Sequence, residues 1–274
     1  MFWMVSLLIA GAANAQKLTL TKNQQITISS NIIQDIDMAA MGMQMKNNTS
    51  TTAIILVKDA GKDQYQTSYK VSKMKVSMEV MGQETKFDSE NPEDSKTEMG
   101  KELAGKINQE VNVSIDKNTG KAVMEVTETA EMKDDAKKNP MEDLMNSLGP
   151  VDDAAAVETA YLIIPEGKKK GDSWTDSTNN NGMKDVKTYT IKEIKDNIAT
   201  VGLTALVKGS TSTEAEGMQM DVTIDSKTTG DIFVNTKTAL VQKRVSTMEL
   251  NGTIDMMGQS IPMSSKAIIA VDYK

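Results

Sequence analysis

The chain of 274 residues contains no cysteine and no histidine. Without cysteine there are no disulfides, no thiolate nucleophile and no Cys-based zinc site. Without histidine the commonest general base and metal ligand is missing, and no Ser-His-Asp or Cys-His arrangement can be assembled. Aromatic residues are scarce, with 3 Phe, 2 Trp and 5 Tyr. That leaves few platforms for stacking sugars or bases. Acidic side chains (38) outnumber basic ones (31), giving a net charge of −7. Nucleic-acid phosphates require a basic face, so nucleic acid is not an expected partner. The paired carboxylates Glu90/Glu93/Asp94, Asp134/Asp135 and Asp152/Asp153 read as caps and solvated turns, because nothing sets two of them across a cleft. No EF-hand loop or glycine-rich phosphate loop occurs. No catalytic residue and no cofactor is expected, and the reading is non-enzymatic.

One apolar run is present. Met1 to Ala15 is uncharged, carries Phe2, Trp3, Val5, Leu7, Leu8 and Ile9, and closes on Ala13-Asn14-Ala15. This is a signal-peptide pattern with cleavage expected near Ala15, and it is shorter than the ~20 residues that span a bilayer. The expected location is therefore periplasmic or secreted, with no membrane span. With no cysteine after the cleavage point, release rather than lipid anchoring is expected. The basic residues that normally precede such a run are missing, so a true start upstream of Met1 is also an expectation.

Most of the remaining chain alternates apolar and polar residues. Ile26, Ile28 and Ser30 share one face. Tyr65, Thr67, Tyr69 and Val71 alternate, and Met74, Val76, Met78 and Val80 continue on the other parity, which predicts a bulge near Ser72-Lys73. Val111, Val113 and Ile115, the turn Asp116–Gly120, then Ala122 and Met124 predict a hairpin. Asp196-Asn197 predicts a tight turn, and a further turn is expected at Asn251-Gly252. Helical spacing appears in the middle: Met99, Leu103 and Ile107 behind the Pro92–Ser95 cap region; Met141, Leu144, Met145 and Leu148; and Asp152 to Ala160. The expected fold is α+β, mostly antiparallel β. Two strand-rich halves would form a strongly curved sheet or half-barrel with a helical segment between them. The expected divisions are a signal peptide over 1–15, a first strand-rich half over 16–95, a helical and hairpin insert over 96–162, and a second strand-rich half over 163–274. The second half is expected to form one continuous domain with 16–95. Gly42-Met43-Gln44-Met45 recurs as Gly217–Met220, and Met81-Gly82-Gln83 as Met257–Gln259, which suggests a duplication.

Methionine is abundant, 21 residues in all. Thioethers fill adaptable apolar surfaces, and as soft ligands they also select Cu(I). Three readings follow: a Met-filled core, a cleft for an apolar or lipid-like ligand, and a copper site. The cleft candidates are Met43, Met45, Met78, Trp174, Met218 and Met220. The copper alternative is Met41, Met43 and Met45, expected on one strand face, although same-face neighbours lie about 6.8 Å apart along a strand. The alternative to ligand binding is an envelope structural or protein-interaction module, in which an envelope protein would be the partner.

Two stretches carry a resemblance. The run Phe87-Asp88-Ser89-Glu90-Asn91-Pro92-Glu93-Asp94-Ser95 and the run Gly171-Asp172-Ser173-Trp174, with the Met-rich strands, resemble an uncharacterised secreted family of Bacteroidota-type bacteria. That resemblance implies export and no established activity. The strand-helix-strand layout is also similar, at the level of fold, to the half-barrels of periplasmic lipoprotein carriers.

Overall fold

The computed structural model describes residues 16–125, 153–180, 182–215, 218–256 and 259–274. The signal segment and the Met141–Leu148 helix expected from sequence lie outside them. The alternating stretches form long strands: β1 (Gln25–Met38), β2 (Met43–Ala60), β3 (Gln64–Val80), β4 (Gln83–Asp88), β5 (Val111–Asp116), β6 (Ala122–Met124), β7 (Ser173–Asn180), β8 (Met183–Lys195), β9 (Ile198–Ala215), β10 (Met218–Asn235), β11 (Val241–Met256) and β12 (Gln259–Tyr273). Among the described residues two short helices accompany them, α1 (Glu98–Ala104) and α2 (Asp153–Glu158).

All twelve strands belong to one antiparallel sheet ordered β6-β5-β3-β2-β1-β12-β11-β10-β9-β8-β7, with β4 paired to β3. Its centre is the β1–β12 pair, where Ile28 faces Tyr273 and Ile36 faces Ser265. The sheet thus joins both strand-rich halves through the first and last strands. It does not close, because β6 and β7 stand at opposite ends of the order. The alternation fixes the register, since a one-residue slip would turn every apolar side chain outward.

The bulge lies where the parity change predicts. Pairing moves from Thr52↔Lys73 to Ala53↔Val71, leaving Ser72 as the extra residue, and its hydroxyl donates to the Thr52 carbonyl at 3.0 Å. The β5–β6 hairpin and the Asp196-Asn197 turn also form; Asp196 and Asn197 take φ of 50° and 63°, the two positive values a type I′ turn requires. Asn251-Gly252 differs from expectation, for both residues lie within β11. A Cβ on Gly252 would meet the Thr223 carbonyl oxygen at 2.5 Å. The glycine serves close approach of neighbouring strands rather than a turn. The first helix is shorter than its apolar spacing suggests. Thr97 caps it, accepting from the Gly100 N–H at 3.0 Å, and Ile107 instead bridges to Val71.

The segment after α2 ties distant parts of the sheet together. Tyr161 donates its hydroxyl to the Gly120 carbonyl in the β5–β6 turn at 2.7 Å. Its neighbours Ala160 and Leu162 exchange backbone hydrogen bonds with Val241 and Ala239 in the β10–β11 turn, each at 2.9 Å. Arg244 Nε donates to the Thr159 carbonyl at 2.9 Å. Gln16 completes the join, accepting from Ile164 N–H and donating to the Asn235 carbonyl.

Candidate ligand-binding site

The two sequence runs that carried the resemblance turn out to be structural. Phe87 is buried, and Asp88 accepts from Glu90 N–H and pairs with Lys75. Asp94 accepts from the Asp88 N–H at 2.8 Å and the Asn91 amide at 2.6 Å. A Cβ on Gly100 would lie 1.8 Å from the Asp94 carbonyl oxygen, so the glycine lets α1 sit on this knot. In the second run Gly171 and Asp172 exchange backbone hydrogen bonds with Ile191, and Trp174 stacks on Tyr189 with centroids 5.1 Å apart. Both runs anchor strand ends.

The core-facing side of the sheet carries two apolar clusters with different chemistry. The larger gathers Ile26, Ile55, Val113, Tyr161, Ile191, Val201 and their neighbours around the segment after α2, and contains no methionine among the described residues. The smaller consists of Ile36, Met38, Met45, Leu250, Ile254, Ile261 and Met263, with Met43, Met78, Val80 and Ile224 packed on it. It lies on consecutive strands from β3 across the β1–β12 centre to β10. Met38 and Met43 are direct cross-strand partners, and Met263 lies opposite Gly252. Between the clusters, polar side chains occupy the same side: Gln34 donates to the Ser265 hydroxyl at 3.0 Å, and Ser226 is also buried.

Met43, Met45 and Met78 therefore do come together. Met220 is buried on the core-facing side of β10, beside Val222 in the alternation. Met218 opens β10 opposite Ala215. Trp174 belongs with the other cluster, against Tyr189. Met41 does not share a strand face with Met43 and Met45. It ends a 3-10 turn over Ala39–Met41, is 46% exposed, and is followed by Gly42 at φ 64°. The chain turns at this point, so the copper alternative loses one of its three thioethers. No group of three or more His, Cys, Asp or Glu able to hold a metal ion occurs among the described residues.

Sequence reasoning did not select Met38 and Met263 for this site. Their strand parity carries the signal: Met38 continues the alternation of Ile26 and Ile28, and Met263 that of Ala267 and Ile269. It also missed a cavity of about 480 Å³ on the core-facing side of β7–β11, bordered by the segment after α2. Asp176, Asp185, Lys187, Tyr189 and Arg244 line it. Lys187 Nζ lies 3.1 Å from Asp185 Oδ2, whereas Asp185 Oδ1 is buried without a hydrogen-bond partner. Burial raises the Tyr189 phenol, and Asp176 and Asp185 push it the same way against Lys187 and Arg244. These residues are far apart in sequence and meet only because β7, β8 and β11 share a sheet.

No curated protein matches the chain. Among solved structures, lipovitellin, in a structure concerned with lipid-protein interactions, is similar with a TM-score of 0.48 and 9% identity, over 93% of this chain and 25% of that one. This chain thus spans about a quarter of the lipovitellin chain. Pseudomonas aeruginosa OpdQ gives a TM-score of 0.24 and 7% identity, over 91% of this chain and 98% of that one. Both scores are too low to carry an argument about this chain. Residues 62–241, well over half of the sequence and most of the described strands, match a family of unknown function, DUF6263, and the chain belongs to that family.

Proposed function

We propose that this protein is an exported, non-enzymatic carrier that holds an apolar or lipid-like ligand against the methionine-lined part of its sheet. The observation that carries this reading is the segregation of thioethers. Among the described residues the larger cluster is filled with Ile, Val, Leu and Tyr and contains no methionine, while the smaller has Met38, Met45 and Met263 with Met43 and Met78 beside them. A chain using methionine as general filler would spread it through both clusters. Unbranched thioether side chains re-pack around ligands of varied shape, which stiff β-branched residues do not.

Curvature supports the same reading. Five strand-to-strand steps separate β5 from β11, about 24 Å in a flat sheet at about 4.8 Å per step. Yet Tyr161 reaches the β5–β6 turn with its hydroxyl while its neighbours bond the β10–β11 turn. Contacts of that reach favour a sheet bent into a half-barrel, with its core-facing side as the concave wall. The polar band at Gln34, Ser265 and Ser226 and the charged cavity beyond it would then receive the polar end of an amphiphile.

Native mass spectrometry of protein recovered from its host tests the reading. A co-purifying apolar molecule and a saturable site for a hydrophobic dye are expected; their joint absence overturns it. Export is tested separately, by N-terminal sequencing of the protein in the extracytoplasmic fraction, with Gln16 expected as the first residue. A second reading, an envelope interaction module, is favoured by β7, an eight-residue strand paired on one side only among the described residues. A stoichiometric partner recovered by pull-down and lost on introducing a proline into β7 would support it.

A further inference from the structure

Two adjacent connections at one end of the sheet differ in chemistry from those at the other end. At one end are Gly61-Lys62-Asp63, Lys117–Lys121, Asp196-Asn197 and Thr236–Leu240, each with at least one charged residue and none with methionine. At the other end, adjacent hairpins join β1 to β2 and β3 to β4. The first reads Ala39-Ala40-Met41-Gly42, flanked by Met38 and Met43, without one polar side chain, and all four of its residues are exposed. The second is Met81-Gly82, where Met81 is 70% exposed.

Met81 also stands where folding alone would not put it. Its φ is 51° and that of Gly82 is 80°. The first position of such a turn favours Asn, Asp or Gly, and a long side chain there costs stability. Two neighbouring tips thus expose apolar side chains, one against local backbone preference. The Met81 N–H donates to the carbonyl of Gln44, two residues beyond the first tip in β2, at 3.2 Å.

We propose that these two tips dip into the interfacial layer of a phospholipid bilayer. Several features favour a membrane over a protein partner. The tips, Ala39–Gly42 and Met81-Gly82, carry no charged or polar side chain that would be left unpaired in lipid. They project from one end of a sheet, so they meet a plane rather than fill a groove. The tips also run directly into the candidate site: Met38 and Met43, which flank the first tip, belong to the methionine-lined cluster. The groove between the tips holds Asp37, Glu79 and Lys46, mixed charges that give anionic lipid no advantage. The lipid expected is therefore zwitterionic, and contact is expected to survive salt. The purpose of this contact, handing an apolar ligand between bilayer and sheet, rests on the carrier reading; the contact itself does not.

Flotation with phosphatidylcholine vesicles, using protein recovered from its host, tests the proposal. The protein should float, equally well at low and high salt. M41Q/M81Q should reduce the floated fraction at least tenfold while leaving dye binding intact, and K237Q at the opposite end should float like the parent. Protein that stays with the dense fraction, or a double variant that floats unchanged, overturns the proposal, as does flotation that requires a co-purified protein. Loss of flotation in M41Q/M81Q in a protein that binds no dye would keep the membrane contact and sink the carrier reading.

Discussion

Met81 offers a direct measurement of what its position costs. Replacing it with Asn, which tolerates φ of 51°, should raise unfolding free energy by about 1 kcal/mol in a urea titration. A stabilised Met81→Asn variant with weakened vesicle flotation would separate the two demands on one residue. Gly230 lies at the opposite extreme: a Cβ there would sit 2.2 Å from the Val245 carbonyl oxygen. Gly230→Ala is expected to lower stability by about 1–3 kcal/mol in the same titration. Tyr69 sets an alkaline limit. Burial pushes its phenol from 10.0 up to about 12, with Asp153 and Tyr273 adding to the shift. The folded state holds the neutral phenol and the unfolded chain ionises first, so this contribution is intact below pH 10. It is lost as pH rises from 10 through 12, by up to about 3 kcal/mol. Tyr161, Tyr189 and Tyr273 are raised by burial as well and act in the same direction. Denaturation midpoints across pH 9–12 should fall less steeply in Tyr69→Phe.

Among the elements, the short segment after α2 has the largest effect for its length. Tyr161→Phe removes one buried hydroxyl and leaves the Gly120 carbonyl without that donor. A loss of about 1–3 kcal/mol is expected, with vesicle flotation unchanged because the tips lie at the other end. Strands were largely legible in the sequence because their signal is local. The parity change at Ser72, the Asp196-Asn197 turn and the β5–β6 hairpin each follow from a few adjacent residues. The departures share a cause, which is that a partner distant in sequence decides the outcome. Asn251-Gly252 has turn composition, yet Thr223 on the neighbouring strand holds it in β11. Ile107 has helical spacing, yet Val71 captures it as a bridge. Met41 alternates correctly with Met43 and Met45, but the chain must reverse somewhere, and it reverses there.

For the whole molecule, the candidate site was half legible. The excess of methionine and its alternation with polar residues marked Met43, Met45 and Met78 as candidates for one cleft. That Met38 and Met263 join them, and that Trp174 does not, depends on strand order, which no single segment encodes. The same holds for the cavity around Asp185 and Arg244. The echo of Gly42–Met45 in Gly217–Met220, and of Met81–Gln83 in Met257–Gln259, gains weight from topology. Met43 and Gln83 open the second and fourth strands of the run β1–β4, as Met218 and Gln259 open the second and fourth of β9–β12. If the carrier reading holds, removing the ligand should lower the melting temperature. A ligand at about 100 times its Kd contributes about 2.7 kcal/mol, so delipidated protein should recover its midpoint on reloading.

The central β1–β12 pair has a consequence for biosynthesis. Strand β1 gains its second neighbour only once β12 has been made, because Ile28 pairs with Tyr273. Until then each half of the sheet exposes a long open edge, a template for pairing with other chains. Contacts this distant in sequence also form late and slowly. The sheet therefore stays in two unjoined halves until β12 has been made, and those halves depend on protection from aggregation meanwhile. Truncation before Gln259 should give soluble oligomers or precipitate rather than a smaller folded monomer, as light scattering would record.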